Sequence, residues 1–436
     1  MDPAALDVVM APLRRTTWRF YALVLPLSGV VALGGFAYLT QLQDGLGVTG
    51  MRDQVTWGLY ISNFVFFIGV SHAGTLISAI LRVTGADWRR PITRMAESIT
   101  VMAIAVGAVF PLIDLGRPDR LLNIFLFGRI QSAVLWDFIS IATYLTGSLL
   151  YLYLPMIPDL AAIRGERIGG RVRGRLYRLL SMNWRGTPAQ RARLNKAIRI
   201  MAVLIIPIAV SVHTVVSWIF GMTLRVGWHS TIFGPYFVVG AILSGIATII
   251  LAMAAFRRAY HLEAFIKPLH FRNLALLMVS LDVILIYFTL SEYLTAAYGA
   301  ASADVAWLTA LAAGPYMYLF WGMLVGGFLV PLVILGATRA RSVAWTVVAA
   351  VCVNVGMWFE RLLIVVPSMA APQMPISWAS YAPTWVEWSI TAAAIAAFVL
   401  LYAFFSKMFP MVSIWEMSEE TPEAVPEPRP AEEAAE

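Results

Sequence analysis

The chain alternates long apolar runs with shorter polar connections. Ten apolar runs stand out, at about 19–40, 55–82, 92–113, 134–156, 197–221, 232–256, 272–298, 315–336, 342–366 and 386–408. A helix needs about 20 apolar residues to cross roughly 30 Å of hydrocarbon, and each run meets that length. Backbone N–H and C=O groups in lipid must bond within their own segment, so such runs read as helices rather than open strands. The stretch Trp57 to Leu81, WGLYISNFVFFIGVSHAGTLISAIL, holds no Lys, Arg, Asp or Glu. Inside it His72 stands between Ser71 and the small pair Ala73 and Gly74. A histidine in a lipid-embedded helix is expected to face other helices or a cavity. Small neighbours let another backbone approach or leave room for a ligand. The expected fold class is an all-α membrane protein with about ten transmembrane helices.

Composition agrees. Hydrophobic residues make up 60% of the 436 positions and charged residues 13%, against about 45–50% and 25% in soluble domains. The mean hydropathy is +0.75. The net charge of +7 is topological and does not indicate nucleic-acid binding: 26 of the 32 Lys and Arg fall at the N-terminus and in the even-numbered connections, five in the opposite loops, and Arg361 within a span. By the positive-inside rule both termini are expected in the cytoplasm of a multi-pass protein of the bacterial inner membrane. Cys352 is the single cysteine, too few for a thiolate-ligated cluster or an internal disulfide. No cleavable signal peptide is evident in Met1 to Pro12.

The order along the chain is then a cytoplasmic N-terminus (1–18), spans 1–4 (19–156), a basic cytoplasmic loop (157–196), spans 5–10 (197–408) and an acidic tail (409–436). The basic loop reads as a topology signal in contact with lipid headgroups. The tail is rich in Pro, Ala and Glu and is expected to be disordered. The opposite loops are poor in charge and rich in Trp, Tyr, Pro and Gly, which suits the membrane interface. The stretch 367–385 is almost uncharged, which favours a docked extracytoplasmic protein.

Ionisable residues inside the spans are expensive and mark candidate sites. Counted at ~1.5 Å per residue from the span ends, His72 falls in the cytoplasmic half of span 2. Glu97 lies near the cytoplasmic start of span 3 and Asp282 near the middle of span 7. His213, Glu292 and the pair Glu360–Arg361 fall in the outer halves of spans 5, 7 and 9. Asp114 and Asp137 bracket the outer ends of spans 3 and 4, with Arg117 between them. Carboxylates and histidines at graded depths are what a proton path requires. The alternative is structural: Glu360 and Arg361 neutralising partners on other helices, and Asp114 paired with Arg117.

Read in order, WGLYISNFVF, HAGT, DLGRPDR, GRIQS and LWD resemble the NrfD/PsrC family, strongly over about Val55 to Leu154. The likeness continues through SVHTVVSW, HSTIFGPY, NVGMWFERLLI and PTWVEWS. These proteins are the quinone-handling membrane subunits of polysulfide-reductase-like complexes and of alternative complex III. The resemblance implies two four-helix bundles, spans 2–5 and 6–9, with spans 1 and 10 outside them. It implies a partner bearing iron–sulfur clusters on the extracytoplasmic side, commonly with a molybdopterin-type or multihaem c-type cytochrome subunit. The cofactor would be a quinone, with menaquinone favoured, and no haem, cluster or metal is expected in this chain. A quinol ring needs an apolar slot and groups that accept protons on oxidation. Asp114, Asp137 and His213 are the candidates near the ring, with Arg117, Trp57, Tyr60 and Trp136 holding it. His72, Glu97, Asp282, Glu292, Glu360 and Arg361 are the candidate proton path. Where relatives of alternative complex III tend to carry His, this chain has Asp114.

Two other functions remain to be weighed. A di-haem cytochrome b needs paired histidines at matched depth, and the counted depths of His72 and His213 differ. A transporter would have midplane charges and broken helices, and no broken helix is evident.

Overall fold

The computed structural model describes residues 3–165, 170–337, 342–373 and 377–418. Amphipathic α1 (Pro3–Arg14) precedes the first long helix, α2 (Trp18–Asp44). The second span is α3 (Leu59–Val83). The third is broken into α4 (Thr93–Gly107) and α5 (Phe110–Asp114), the break falling before Pro111, whose ring removes a helical hydrogen bond. A strap carrying the short α6 (Asn123–Leu126) leads to α7 (Ala133–Gly165). Next come α8 (Arg171–Leu180), α9 (Pro188–Gly221), α10 (Phe233–Ala259), α11 (Pro268–Gly299) and the short α12 (Ser302–Ala312). The eighth span joins α13 (Met317–Trp321) to α14 (Val330–Gly336) through a π-helical stretch, Gly322–Leu329. Then follow α15 (Val343–Ala370), α16 (Trp385–Met408) and α17 (Ile414–Ser418). Ten spans long and apolar enough to cross a membrane are present among the described residues. Spans three and eight are thus interrupted, where the sequence suggested unbroken helices.

The helices form two rings of four. In the first, α3 packs on α4 and α9, and α7 closes the ring against both. In the second, α10 packs on α11 and α15, and α14 closes it against both. The rings meet where α3 crosses α10 and α15 and where α9 meets α10. The α2–α16 pair stands outside, against α4. This is the expected arrangement of two bundles and two peripheral helices. α3 is the central helix: nearly every residue from Leu59 to Ala79 is buried. The small pair beside His72 serves close packing. A Cβ on Gly74 would collide with the Ala96 carbonyl of α4, and one on Gly245 of α10 would collide with Ala73. Small residues at such crossings let backbones touch.

The region read as a basic loop is mostly helical. α7 runs on to Gly165 because Met156, Ile157, Leu160 and Ile163 stay buried. Thr187 and Gln190 then form a reciprocal cap that starts α9. The tail also begins folded. Residues 409–418 pack beneath the first bundle, with Glu416 buried; from residue 419 on it lies outside the described residues. The end of the molecule holding α1 and α17 is called the terminal face below, and the other end the far face.

Candidate functional site

At the far end of the first bundle lies a cavity of about 490 Å³. The start of α3 contributes Trp57, Ile61 and Phe64 to its wall. The end of the third span contributes Pro111, Leu112, Asp114 and Leu115, the strap Leu121 and Ile124. Asp137, Phe138, Ile141 and Leu145 come from α7, and Val216, Ile219 and Phe220 from α9. Pro111 explains one wall: by ending α4 early it turns Asp114 towards the strap and the cavity. The lining is apolar except for two carboxylates, Asp114 and Asp137. One oxygen of each, Oδ1, is buried with no hydrogen-bond partner. A slot of this size, apolar with a few convergent polar groups, is how small-molecule sites are built.

The back wall is held by aromatic stacking. Trp57 stacks on Trp228 at 6.1 Å between centroids and meets Phe220 edge-on at 5.9 Å. Trp228 Nε1 donates to the Ile364 carbonyl of α15 at 2.6 Å, tying the cavity to the second bundle. Tyr60 does not line the cavity. Its hydroxyl donates to Gln41 Oε1 at 2.7 Å, and Gln41 Nε2 donates to the Ile113 carbonyl at 2.8 Å. Tyr60 thus steadies the segment before Asp114. Trp136 donates from Nε1 to the Ile130 carbonyl and fixes the strap. Arg117 is exposed and pairs with Asp119 at 2.9 Å, so the suggested Asp114–Arg117 ion pair is not formed.

His213 lies one turn of α9 below Val216, out of the cavity. Its ring contacts His72, with centroids 3.8 Å apart at 64°. The counted depths had placed these residues on different levels, and the structure corrects that. Counting from span ends assumes that all helices begin in one plane. Here Trp57 before α3 meets Phe220 at the end of α9, yet further along His72 meets Ala209 and His213, so the two helices bring together residues at different counted distances from their ends. His72 Nε2–H donates to the Ala209 carbonyl of α9. Both nitrogens of His213 lack a partner. Two opposed metal–nitrogen bonds of roughly 2 Å would hold the ring nitrogens about 4 Å apart and the ring centres further still, so touching rings do not make an axial pair.

The other candidates divide between the bundles. Glu292 and Glu360 line one small cavity of about 20 Å³ in the second bundle, with Tyr236, Thr289 and Tyr293. Glu360 pairs with Arg361 at 3.0 Å, both buried, and the guanidinium lies 4.9 Å from the centre of the Phe237 ring. Asp282 is buried on α11 with both oxygens unpartnered. That helix packs in the second bundle, whereas Glu97 sits in the first, bonded by Ser78 at 2.7 Å. The inward acid chain of His72, Glu97 and Asp282 is therefore not one contiguous line. Among the described residues no group of three or more His, Cys, Asp or Glu is placed to hold a metal ion.

Several structural residues were missed in the sequence. Glu387 is fully buried and accepts from the Gly50 and Thr384 amides, at 2.6 and 3.0 Å, and from Tyr381, which also accepts from Leu59 N–H at 2.7 Å. This knot pins the start of α3, and hence Trp57, to the last far-face loop. The spacing Thr384-x-x-Glu387 is a readable capping signal. No local signal marks Trp228.

Fold and site together define a multi-pass membrane protein with a ligand-sized cavity at the far end of its first bundle. A family model described as polysulphide reductase, NrfD, matches residues 47–373, and the chain belongs to that family. A putative membrane subunit of dimethyl sulfoxide reductase from Halobacterium salinarum is 34% identical over 228 residues, 52% of this chain and about half (49%) of that protein's length. A selenate reductase subunit from Mesobacillus selenatarsenatis is 22% identical, covering 88% of this chain and 93% of its own. An Hdr-like menaquinol oxidoreductase integral membrane subunit from Archaeoglobus fulgidus is 23% identical, covering 90% and 94%.

Proposed function

We propose that this chain is the quinone-binding membrane subunit of a multisubunit oxidoreductase complex. The observation that supports it most is the apolar cavity whose two polar lining groups, besides the indole of Trp57, are Asp114 and Asp137. Family membership and the menaquinol oxidoreductase subunit among the relatives favour a quinol, menaquinone in particular. When bound, a quinol supplies two electrons and two protons. Trp57, Phe138 and Phe220 offer flat apolar surface to a ring. Asp114 and Asp137 each present a carboxylate oxygen free to take a hydroxyl proton. The surrounding apolar wall keeps bulk water from those oxygens.

The electrons pass to a partner on the far face, which we take to be an iron–sulfur subunit joined by a molybdopterin-type or multihaem cytochrome subunit. Beside the cavity the strap exposes Leu122, Leu126, Phe127 and Ile130, an apolar patch suited to a protein partner. The Lys and Arg distribution favours a cytoplasmic terminal face, in what we take to be a bacterial inner membrane. Coupling to proton translocation is the finer form of the reading. Glu292 and Glu360 would bring protons towards the histidine pair from the second bundle, with Arg361 as the fixed positive charge beside Glu360.

Quenching of tryptophan fluorescence by a menaquinone analogue tests the site, because Trp57 lines it. Ala142→Trp, which fills the cavity from α7, is expected to abolish saturable quenching while the helical circular dichroism is kept. Saturable quenching of equal affinity in that variant would place the ligand elsewhere.

A further inference from the structure

Below the histidine pair, the first bundle carries a polar seam that takes no part in the cavity and links two of the candidate proton-path residues, His72 and Glu97. On α3 the residues Ser71, Thr75, Ser78 and Arg82 recur at spacings of four, three and four, which is one helical face. α7 answers with Tyr144, Ser148 and Tyr151, and α4 with Thr100, Glu97 and Arg94, all but Arg82 fully buried. The His72 and Tyr144 rings lie 5.0 Å apart. The Tyr144 hydroxyl donates to the Ser71 carbonyl at 3.0 Å, and Thr100 Oγ1 donates to the same carbonyl at 2.6 Å. Thr75 Oγ1 and Ser148 Oγ, near the Tyr144 hydroxyl, are buried without a hydrogen-bond partner. One turn further, Ser78 Oγ donates to Glu97 Oε1 at 2.7 Å and lies 3.4 Å from the Tyr151 hydroxyl, while Glu97 Oε2 has no partner. From His72 to Arg82 the seam spans ~15 Å of helix.

The terminal end of the seam is closed by the C-terminal segment. Asp159 of α7 accepts from the Ile414 and Trp415 amides, at 3.1 and 2.7 Å, and from Arg94 at 3.0 Å. These bonds hold α17 in place. Its Glu416 is buried between Arg82 and Arg89, the latter at 2.9 Å. Apolar packing would fill such a seam at less cost, since each buried polar group must be desolvated and bonded. Three helices instead carry hydroxyls in register, ending in a carboxyl with one free oxygen.

We infer that this seam is a proton-exchange path between the His72–His213 pair and the terminal face, with Glu97 as its proton carrier and α17 as its closure. Glu97 releases its proton to water at the terminal face when Glu416 leaves Arg82 and Arg89. It is reprotonated through Ser78 and Tyr151 from the Tyr144 hydroxyl cluster, which takes a proton in turn from the His72–His213 pair, and no electron moves. The charged and titrating groups around the closure are Arg82 at the end of α3, Arg89 just after it, Arg94 and Glu97 on α4, and Tyr151 and Asp159 on α7. The inference goes beyond the quinone reading, and its test uses no quinone, so either can fail alone.

The test is infrared spectroscopy of the full chain in liposomes. A protonated-carboxyl band that disappears in Glu97→Gln identifies the carrier, and its rate of shift in heavy water reports access. Glu416→Gln, and separately removal of residues 413–436, are expected to speed that shift several-fold. Ser78→Val in the Glu416→Gln background is expected to leave the fast shift unchanged, because access then comes from the terminal side. The band lost in Asp282→Asn, in the other bundle, is expected to keep its rate in every variant. The inference is overturned if no Glu97 band exists or if opening the closure leaves its rate unchanged. It is also overturned if the Asp282 band accelerates equally, which would mean general loosening.

Discussion

The imidazole of His72 touches that of His213, with ring centroids 3.8 Å apart, and this contact joins α3 to α9 within the first bundle. It sits one helical turn under the Asp114–Asp137 cavity and at the head of the seam to the terminal face. Rings in contact leave no gap for an iron between them. The purified chain is therefore expected to show no Soret absorbance, oxidised or reduced. A stoichiometric low-spin haem spectrum would mean that the pair opens into an axial site.

The buried pair Arg94–Asp159 ties α4 to α7 and caps α17. Removing one partner of such a pair leaves an uncompensated buried charge. Asp159→Ala is expected to cost about 3–5 kcal/mol. Thermal unfolding in detergent would report it, and a melting temperature equal to that of the unchanged protein would contradict it.

Acid should loosen the same corner. Burial pushes the Glu416 carboxyl up, but Arg82, Arg89 and Arg94 outweigh it and hold the group below its ordinary value of 4.5. A carboxyl depressed in the folded state stabilises above its unfolded pKa, and the contribution is lost as pH falls through the folded value. Melting temperatures measured from pH 7 down to pH 3 are expected to fall below about pH 4.5. In Glu416→Gln the protein should be less stable at neutral pH and this acid-dependent part should vanish. An unchanged acid slope in the variant would assign the loss to other carboxyls.

Glu387 is fully buried and bonded to Gly50, Tyr381 and Thr384. Glu387→Ala removes three bonds at once and frees the start of α3. Saturable quenching by the menaquinone analogue is expected to weaken while the helical signal persists. Equal affinity would show that the knot does not position Trp57.

Much of this architecture was legible in the chain. Span count and helix type follow from apolar runs that must satisfy their own backbone in lipid, and the two-bundle arrangement followed from the resemblance carried by motifs such as WGLYISNFVF and DLGRPDR. Asp114 and Asp137 could be placed together because each ends a span on the same side of the membrane. The level of His213 could not be read, since it depends on how α3 and α9 pack against each other and not on distance from a span end. Arg117 looked like a partner for Asp114, but two residues of turn bring it to Asp119 instead. The Glu416 closure was hidden because the apolar stretch FPMVSIWEM runs straight into the acidic Pro- and Ala-rich tail, and only the Arg82–Arg89–Asp159 pocket gives it a place to bind.

The central claim is that Asp114 and Asp137 take the protons of a quinol bound between them and the aromatic wall. Its most direct measurement is quinol-dependent reduction of the attached redox centres in the complex purified with its natural partners, comparing Asp114→Asn, Asp137→Asn and the double variant. The account predicts loss of ~10²-fold or more in rate in the double variant, with quinone-analogue quenching retained. Reduction at the unchanged rate in the double variant would contradict it.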